Sequence, residues 1–468
     1  MMGNRSTGTA FQYKIPETPA NLPYFFLSFL PPRKISVYHV TVEVLEVIRS
    51  VAGGFLAAEE VVDDQIFLFA FKGEPFAVSN GTNAPPKLLV AVKHFLCDLV
   101  AYLDSKGWEL SLSTDFTLRP DTASISTWIF KKVRPAVNTR STVEMYNVPE
   151  PVFSSCVEAT RYLDGKGSEM APKDYRIVVR GSPWYSTRHE EIICARLTLL
   201  ELFRAFARNG FKFLHSGNFN GGTDAMIFQS DPTPETLSSA DAIMLGLYDS
   251  SRLWLFQFPQ ELHQVIEEAC QELWPSGVDF HLDSGACFQL KLHRTPWLDS
   301  AFPACAPQSR FLLAVLFQRL RSVGWRLQNA LHVSTKPEDR ACFLLVPSQP
   351  KSVRYLCICP QSSSRICLVN SEPAHNRTLA AILKHYWPPG IEDQGMAHGC
   401  YQWKLRGSPW NPTSEKEHIN AKHFLCMLQA ELSVIGWRII CSADVSAKYS
   451  KTAGPLSVQS WFVALEAD

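Results

Sequence analysis

The stretch YQWKLRGSPW at residues 401–410 begins as an alternation of apolar and polar side chains and ends in a Gly-Ser-Pro-Trp corner. Alternation with a period of two is typical of a half-buried strand. The strand must end at the corner because Pro409 lacks the N–H that a β-ladder needs, and Gly407 frees the turn. The stretch therefore predicts a strand followed by a tight corner that closes on Trp410.

The same stretch recurs three times upstream. Residues 175–184 also end in Arg-Gly-Ser-Pro-Trp, residues 288–297 read FQLKLHRTPW, and residues 67–76 end in Lys-Gly-Glu-Pro-Phe. A constant period of this length indicates a repeat protein. The chain is therefore predicted to consist of four tandem copies of one module. The closing aromatic residues, spaced by 108, 113 and 113 residues, are Phe76, Trp184, Trp297 and Trp410.

A Gly-aromatic pair follows each corner and confirms the register of the repeat. Between the corner and this pair, apolar residues recur at i, i+3, i+7 and i+10, which is one stripe of an α-helix. The glycine fits the position past a helix C-terminus because it adopts positive φ at little cost. The pairs begin at Gly107, Gly210, Gly324 and Gly436, and the clearest stripes are Leu313, Leu316, Leu320 and Val323, and Leu425, Leu428, Leu432 and Ile435.

Each module is predicted to begin with a β-hairpin, clearest at residues 354–359 with 365–369. The predicted order is ββαβαββ, in which two helices cover one face of a mostly antiparallel sheet, so the fold class is α+β. The hairpin of the second copy, near residues 136–148, is predicted to be degenerate. The predicted boundaries are a flexible tail at 1–22 and modules at 23–134, 135–231, 240–348 and 351–468.

Composition excludes several classes of protein. Lys plus Arg and Asp plus Glu number 45 each, so no net positive charge favours nucleic acid as a partner. The 13 cysteines are scattered, which is typical of a reduced compartment, and no apolar run approaches the ~20 residues that span a bilayer. The protein is predicted to be cytoplasmic or nuclear and not secreted, with Cys357 and Cys359 in the core.

The sequence contains no recognisable catalytic or cofactor motif. Metal-binding Cys-x-x-Cys and His-Glu-x-x-His pairs, a P-loop, a Rossmann fingerprint and a Gly-x-Ser-x-Gly elbow are all missing from the sequence. No catalytic residue, metal or cofactor is therefore predicted. Enzymatic activity stays uncertain, with a non-enzymatic role favoured.

One polar constellation recurs with the corner. Together with the aromatic residue, it could line a pocket for an anion or a peptide. The structural interpretation is favoured, because every copy of a repeat must fold but not every copy must bind. The basic residues are Lys72, Arg180, His293 and Arg406, the aromatic floor is Trp184, Trp297 and Trp410, and the polar residues after the Gly-aromatic pair are Asp115, Asn218, His332 and Asp444.

Tandem modules without chemistry favour an intracellular scaffold that binds protein partners, through the loops at 77–87, 298–308 and 411–417. One alternative is a peripheral membrane or trafficking adaptor, because Gly3 would be myristoylated if translation began at Met2. Another is an enzyme of unfamiliar fold with a site in one module. The sequence leaves the partner, the oligomeric state and the arrangement of the modules open.

Overall fold

The chain folds into consecutive modules, three of which contain a six-stranded antiparallel sheet. The computed structural model describes residues 24–30, 32–63, 66–73, 75–76, 86–114, 127–132, 150–159, 169–171, 176–178, 189–217, 225–283, 285, 287–297, 305–331, 339–411, 415–446 and 459–465.

Modules 1 and 2 occupy the first half of the chain. Module 1 contains β1 (Tyr24–Leu30), β2 (Lys34–Tyr38), α1 (Val42–Ala52), β3 (Leu56–Asp63), β4 (Ile66–Phe71), α2 (Pro86–Ser105), β5 (Trp108–Thr114) and β6 (Thr127–Lys132). Module 2 contains α3 (Glu150–Ala159), β7 (Glu169–Ala171), β8 (Arg176–Val178), α4 (His189–Arg208), β9 (Phe211–Gly217) and β10 (Ala225–Ser230), and a short helix, α5 (Pro234–Ser238), follows it.

Modules 3 and 4 repeat the element order of module 1. Module 3 contains β11 (Ile243–Tyr248), β12 (Arg252–Phe256), α6 (Gln260–Leu273), β13 (Val278–Asp283), β14 (Phe288–Leu292), α7 (Cys305–Ser322), β15 (Trp325–Leu331) and β16 (Asp339–Pro347). Module 4 contains β17 (Arg354–Gln361), β18 (Arg365–Val369), α8 (Pro373–Tyr386), β19 (Ile391–Ala397), β20 (Cys400–Leu405), α9 (Glu415–Val434), β21 (Trp437–Ala443) and β22 (Ser460–Leu465).

The three six-stranded sheets share one strand order: β3-β4-β2-β1-β6-β5, β13-β14-β12-β11-β16-β15 and β19-β20-β18-β17-β22-β21. This confirms the α+β class and the tandem repeat. The module contains one strand more than the predicted ββαβαββ order, because an outer edge strand (β3, β13 or β19) precedes the corner strand. These strands lacked a sequence signal because they are largely exposed and carry charged residues where a buried strand has apolar ones.

The front face of each sheet, defined as the face that covers the module's own helices, forms the module core. In module 1, Phe25 and Ile35 of the sheet pack with Ile48 of α1 and Leu99 of α2, and each of these four side chains is fully buried. Burial of this apolar surface is the main stabilising term of the module.

The second helices of modules 2 and 3 also cover the back face of the next module's sheet, and that of module 4 covers the back face of the module 1 sheet. Phe317 of α7 shows this directly, because its ring lies 4.9 Å from Phe343 of its own sheet and 5.2 Å from Phe462 of module 4, centroid to centroid. The same arrangement joins Leu200 of α4 with Met244 of module 3, and Leu428 of α9 with Phe26 of module 1. Neighbouring modules therefore share continuous apolar cores.

The modules close into a ring, since α9 of the last module covers the sheet of the first. Modules 1 and 2 are joined by Ile227, which packs on the module 1 core, and by a hydrogen bond of 3.0 Å from Gln229 Nε2 to Asp104 Oδ2. At the centre, β5 contacts β9, β9 contacts β15, β15 contacts β21, and β21 contacts β5. The back faces and inner edges of the sheets are thus used in contacts between modules.

All four inner edge strands contain a β-bulge at the same place. One extra residue interrupts the register against the neighbouring strand in each case. A bulge bends a strand and increases its twist, so a bulge in every copy gives the inner edges a common shape at the ring centre. The extra residues are Ser111, Leu214, Gln328 and Ile440.

Two details of the predicted helix stripe need correction. α7 ends at Ser322 and α9 at Val434, so Val323 and Ile435 lie past the helices and are 46% and 43% exposed. The i+10 position falls beyond the last turn, where the chain no longer follows the buried stripe. The degenerate hairpin predicted near residues 136–148 lies outside the described residues.

Candidate functional site

The corner tryptophans lie in the core. Trp297 and Trp410 have no exposed surface, and their indole nitrogens donate to the carbonyls of Arg252 (3.0 Å) and Arg365 (2.7 Å). Both residues also donate their backbone N–H to the turn of the first hairpin of their module. The corner that follows the fourth strand of the module is thus held to the first hairpin by hydrogen bonds.

The basic residues before the corner make backbone contacts of the same kind. The carbonyls of His293 and Arg406 accept the indole N–H of Trp274 (2.9 Å) and Trp387 (3.0 Å), while their side chains are exposed. In module 1, Lys72 Nζ donates to the Gly54 carbonyl at 2.9 Å.

The residue after the basic residue adopts a left-handed backbone in modules 1, 3 and 4, with φ of 73° at Gly73, 66° at Arg294 and 80° at Gly407. Glycine is favoured at two of the three positions because it adopts positive φ without strain.

The structure does not bring the two halves of the predicted pocket together. Arg406 follows β20 and Asp444 follows β21, and four strand spacings, about 19 Å in all, separate these strands. Asp444 is buried, and its carbonyl accepts the N–H of Ala341 in module 3 at 2.9 Å. Outside the described residues lie Gly3, Asp115, Arg180, Trp184, Asn218 and His332, and positions 77–85, 298–304 and 412–414 of the loops predicted at 77–87, 298–308 and 411–417. The other positions of these loops, apart from Asn411, are not loop but the first turns of α2, α7 and α9.

A buried cation at three of the module interfaces was missed by the sequence analysis. Arg196, Arg310 and Lys422 stand fourteen positions before the helix-ending glycines at 210, 324 and 436, and their exposure is 0%, 1% and 3%. Lys93 holds the same position before Gly107. The recurrence of a basic residue at this place was the available signal, but a basic residue on an amphipathic helix is ordinarily assigned to the solvent face.

Arg310 shows how such a cation is held. It lies on α7, and its guanidinium donates to Ser460 Oγ (3.2 Å) and Ser446 Oγ (2.6 Å) of module 4 and to Ser309 Oγ (3.0 Å) of its own helix. Charged donors form stronger hydrogen bonds than neutral ones. This contact therefore fixes how α7 sits on the back face of the next sheet.

The two other cations occupy the same place in their interfaces. Lys422 of α9 donates to Ser28 Oγ on the back face of module 1, and Ser28 is 2.7 Å from Thr127 Oγ1. Arg196 of α4 donates to Cys342 Sγ (3.1 Å) and lies 5.1 Å from the centroid of the Trp254 ring.

The strand residues beneath the cations are small: Ser28 pairs with Thr127, Gly246 pairs with Cys342, and Ser460 Oγ lies 3.7 Å from Cys359 Sγ. At Gly246 an added Cβ would lie 3.2 Å from the Phe256 ring and 3.7 Å from Arg196 Nε, so a glycine leaves room for the guanidinium there.

Two histidines are also buried between modules. His215 of β9 accepts a hydrogen bond of 2.9 Å at Nδ1 from Asn329 Nδ2 of β15, and its pKa is lowered to about 3 by burial. His423 of α9 lies 4.6 Å from the His39 ring of module 1, centroid to centroid, and burial, with a smaller effect of His39, lowers its pKa to about 3. Both imidazoles are therefore neutral in the folded chain near pH 7.

Because of these two histidines, we expect the folded chain to lose stability at acidic pH. A histidine in the unfolded chain has a pKa near 6.5. Between pH 6.5 and 3 the unfolded chain therefore binds protons that the folded chain does not bind, and the free energy of unfolding falls as the pH falls. We expect each histidine to lower the free energy of unfolding by about 2 kcal/mol when the pH falls from 7.5 to 5. Urea unfolding at the two pH values measures this loss. His423→Gln should reduce the loss by that amount, and His385→Gln on the exposed side of α8 should not. An unchanged loss in His423→Gln would contradict the prediction.

The cysteines predicted to be core residues are buried, as expected: Cys357 is 0% and Cys359 1% exposed. Burial raises the pKa of Cys270 and of Cys287 to about 12, so both thiols stay protonated near pH 7. No disulfide joins the described cysteines. Within the described ranges, no three His, Cys, Asp or Glu side chains are grouped so as to hold a metal ion.

The outer edge strands β3, β13 and β19 lie on the far side of each sheet from the ring centre, each with a neighbour on one side only. Their sequences are LAAEEVVD, VDFHLD and IEDQGMA, so each contains at least two carboxylates and no Lys or Arg. Some of these carboxylates are neutralised from within the module, as in the pairs Arg49–Glu59 (2.6 Å), Lys291–Asp279 (2.7 Å) and Lys404–Glu392 (2.7 Å).

One domain-family model matches the chain four times, over residues 26–131, 136–230, 241–346 and 354–463. No curated protein and no solved structure matches the chain. Among the helices in the described ranges, none combines the length and the apolar character needed to cross a membrane.

Proposed function

Because the chain belongs to the domain family whose model it matches four times, we propose that this repeat protein is a non-enzymatic interaction scaffold. The closed ring is its rigid core, and the outer edge strands β3, β13 and β19 bind extended segments of partner proteins.

The observation that carries this proposal is the division of the sheet surfaces. The front faces cover the module's own helices, the back faces receive the helix of the preceding module, and the inner edges meet at the ring centre. In the part of the chain that the structure describes, the outer edges are the sheet surfaces that these contacts leave accessible. An edge strand offers backbone N–H and C=O groups to an added strand, which is a common mode of peptide recognition.

The negative charge on these edges favours partner segments that are basic. Carboxylates on an edge oppose pairing between two copies of the same edge, because like charges would face each other. They favour a segment that carries Lys or Arg. The acidic edges therefore suit recognition of a basic partner better than self-association.

A triple edge variant tests the proposal. Glu60, Leu282 and Gly395 occupy equivalent positions opposite the neighbouring strand, and lysine is a residue that blocks added strands. A Cβ at Gly395 would meet no atom within 4 Å, so the site tolerates a side chain. Proximity labelling in cells is expected to lose its specific set of proteins when Glu60→Lys, Leu282→Lys and Gly395→Lys are combined.

The matched control places three lysines on exposed helix positions, as Ser50→Lys on α1, Ser322→Lys on α7 and Ala381→Lys on α8. This control should retain the labelled set, and both variants should keep the thermal unfolding temperature of the original chain. A labelled set that persists in the folded triple edge variant would reject the edges as the binding surface.

A further inference from the structure

We propose that the outer edge of module 3 is a specific binding site for an extended segment with apolar side chains on one face and Lys or Arg on the other. The proposal rests on the scaffold function above and names the partner of one edge. It depends on the residues that β13 presents on its two faces.

The back face of β13 is apolar and exposed. Phe280 pairs with Lys291 and Leu282 with Gln289, whereas the front-face residues Leu290 and Leu292 of the same neighbouring strand belong to the module core. The exposed fractions of Phe280 and Leu282 are 42% and 52%. Adjacent exposed apolar side chains on one strand face are typical of an interaction site.

The other two described edges lack this apolar pair. The positions equivalent to Phe280 and Leu282 are Ala58 and Glu60 in module 1 and Asp393 and Gly395 in module 4. A residue that the shared fold needs should recur at the equivalent position of other modules, as the corner tryptophan does in modules 3 and 4. Phe280 and Leu282 are therefore specific to module 3, as expected of residues that bind rather than support the fold.

The front side of this edge is acidic. His281 Nδ1 lies 3.2 Å from Glu267 of α6, and Asp283 is exposed beside it. α6 contains four glutamates and no Lys or Arg, whereas the equivalent helix α8 contains Arg377 and Lys384 and no carboxylate. The equivalent helix α1 of module 1 contains two glutamates and Arg49, so α6 is the most acidic of the three helices.

These features select one kind of occupant. Backbone hydrogen bonds hold an added strand, and alternate side chains then contact the two faces separately. On the back face, apolar side chains of the partner would cover Phe280 and Leu282. On the front face, Lys or Arg would approach Asp283 and the glutamates of α6. The complement is an extended segment that alternates apolar and basic residues.

Selection of phage-displayed random 12-residue peptides on the full chain tests the inference. The enriched peptides are expected to alternate apolar and basic residues. Their affinity, measured with synthetic peptides by isothermal titration calorimetry, should fall about 100-fold in Phe280→Ala/Leu282→Glu, since such exposed apolar anchors dominate peptide binding. This variant carries the residues of module 1, so the fold tolerates them. The reciprocal Ala58→Phe/Glu60→Leu variant should gain a second site for the same peptides.

The remaining outcomes separate this inference from the scaffold proposal. Peptides whose binding is lost only with substitutions in β3 or β19 would overturn the inference and leave the scaffold proposal standing. The same holds for peptides that bind β13 but lack basic residues. Selection of no peptide on any edge would overturn both. Binding that Phe280→Ala/Leu282→Glu leaves unchanged, and that Glu60→Lys combined with Gly395→Lys abolishes, would place the contact on another edge and overturn the inference.

Discussion

Replacing Trp410 by alanine is expected to lower the free energy of unfolding of module 4 by about 3–5 kcal/mol. The indole has no exposed surface, packs near Phe424 of α9 with ring centroids 6.2 Å apart, and donates to the Arg365 carbonyl. Its removal leaves a large cavity in the core and an orphaned carbonyl. Native-state hydrogen exchange of module 4 measures the loss directly.

Two matched variants divide this effect into its causes. Trp410→Phe keeps the ring, as in Phe76 of module 1, and removes the hydrogen bond, so it should cost about 1–2 kcal/mol. Arg406→Ala removes an exposed charge from the same corner and should change stability by less than about 0.5 kcal/mol. A larger loss in Arg406→Ala than in Trp410→Ala would contradict the assignment of the corner aromatic to the core.

Lys422→Ala is expected to weaken the closure of the ring by about 3 kcal/mol, through the cavity and the lost hydrogen bond to Ser28. The contacts at this interface include those of Lys422 with Ser28, Tyr24 with Ser433, and His39 with His423. Amides of β1 and α9 should exchange faster with solvent, while those of α6 in module 3 should not change.

Lys422→Arg is the control, because arginine holds the equivalent position in modules 2 and 3. It should retain the slow exchange of β1 and α9 to within about 1 kcal/mol. Equal protection of β1 in Lys422→Ala and in the original chain would show that the cation does not contribute to ring closure.

The module itself was predictable from sequence because its signals are local. Gly107, Gly210, Gly324 and Gly436 follow the second helices with φ of 78°, 75°, 94° and 79°, as a helix-ending glycine requires. The corner strand at 401–405 alternates apolar and polar residues because one face covers the core, whereas the first hairpins are mostly apolar because both of their faces are buried. Both patterns arise from the geometry of short segments.

The outer edge strands escaped prediction for the opposite reason. β13 and β19 cover little of the core, so no buried stripe constrains their residues, and each contains two carboxylates. Their place in the sheet is decided by backbone pairing with β14 and β20, which any extended sequence can form. The sequence alone does not show that Phe280 and Leu282 lie on one exposed face of the sheet. The register of β13 against β14 shows it.

The sequence by itself determined the repeat, its α+β class and the residues that hold each copy together, because neighbours in the chain encode helices, strands and corners. Only the tertiary structure decided that the modules form a closed ring and that Arg196, Arg310 and Lys422 are buried. Lys422 and Ser28, which meet in that ring, are 394 positions apart. A helix that packs on its own sheet and a helix that packs on two sheets have the same local sequence pattern. Only the contacts with the neighbouring module distinguish the two.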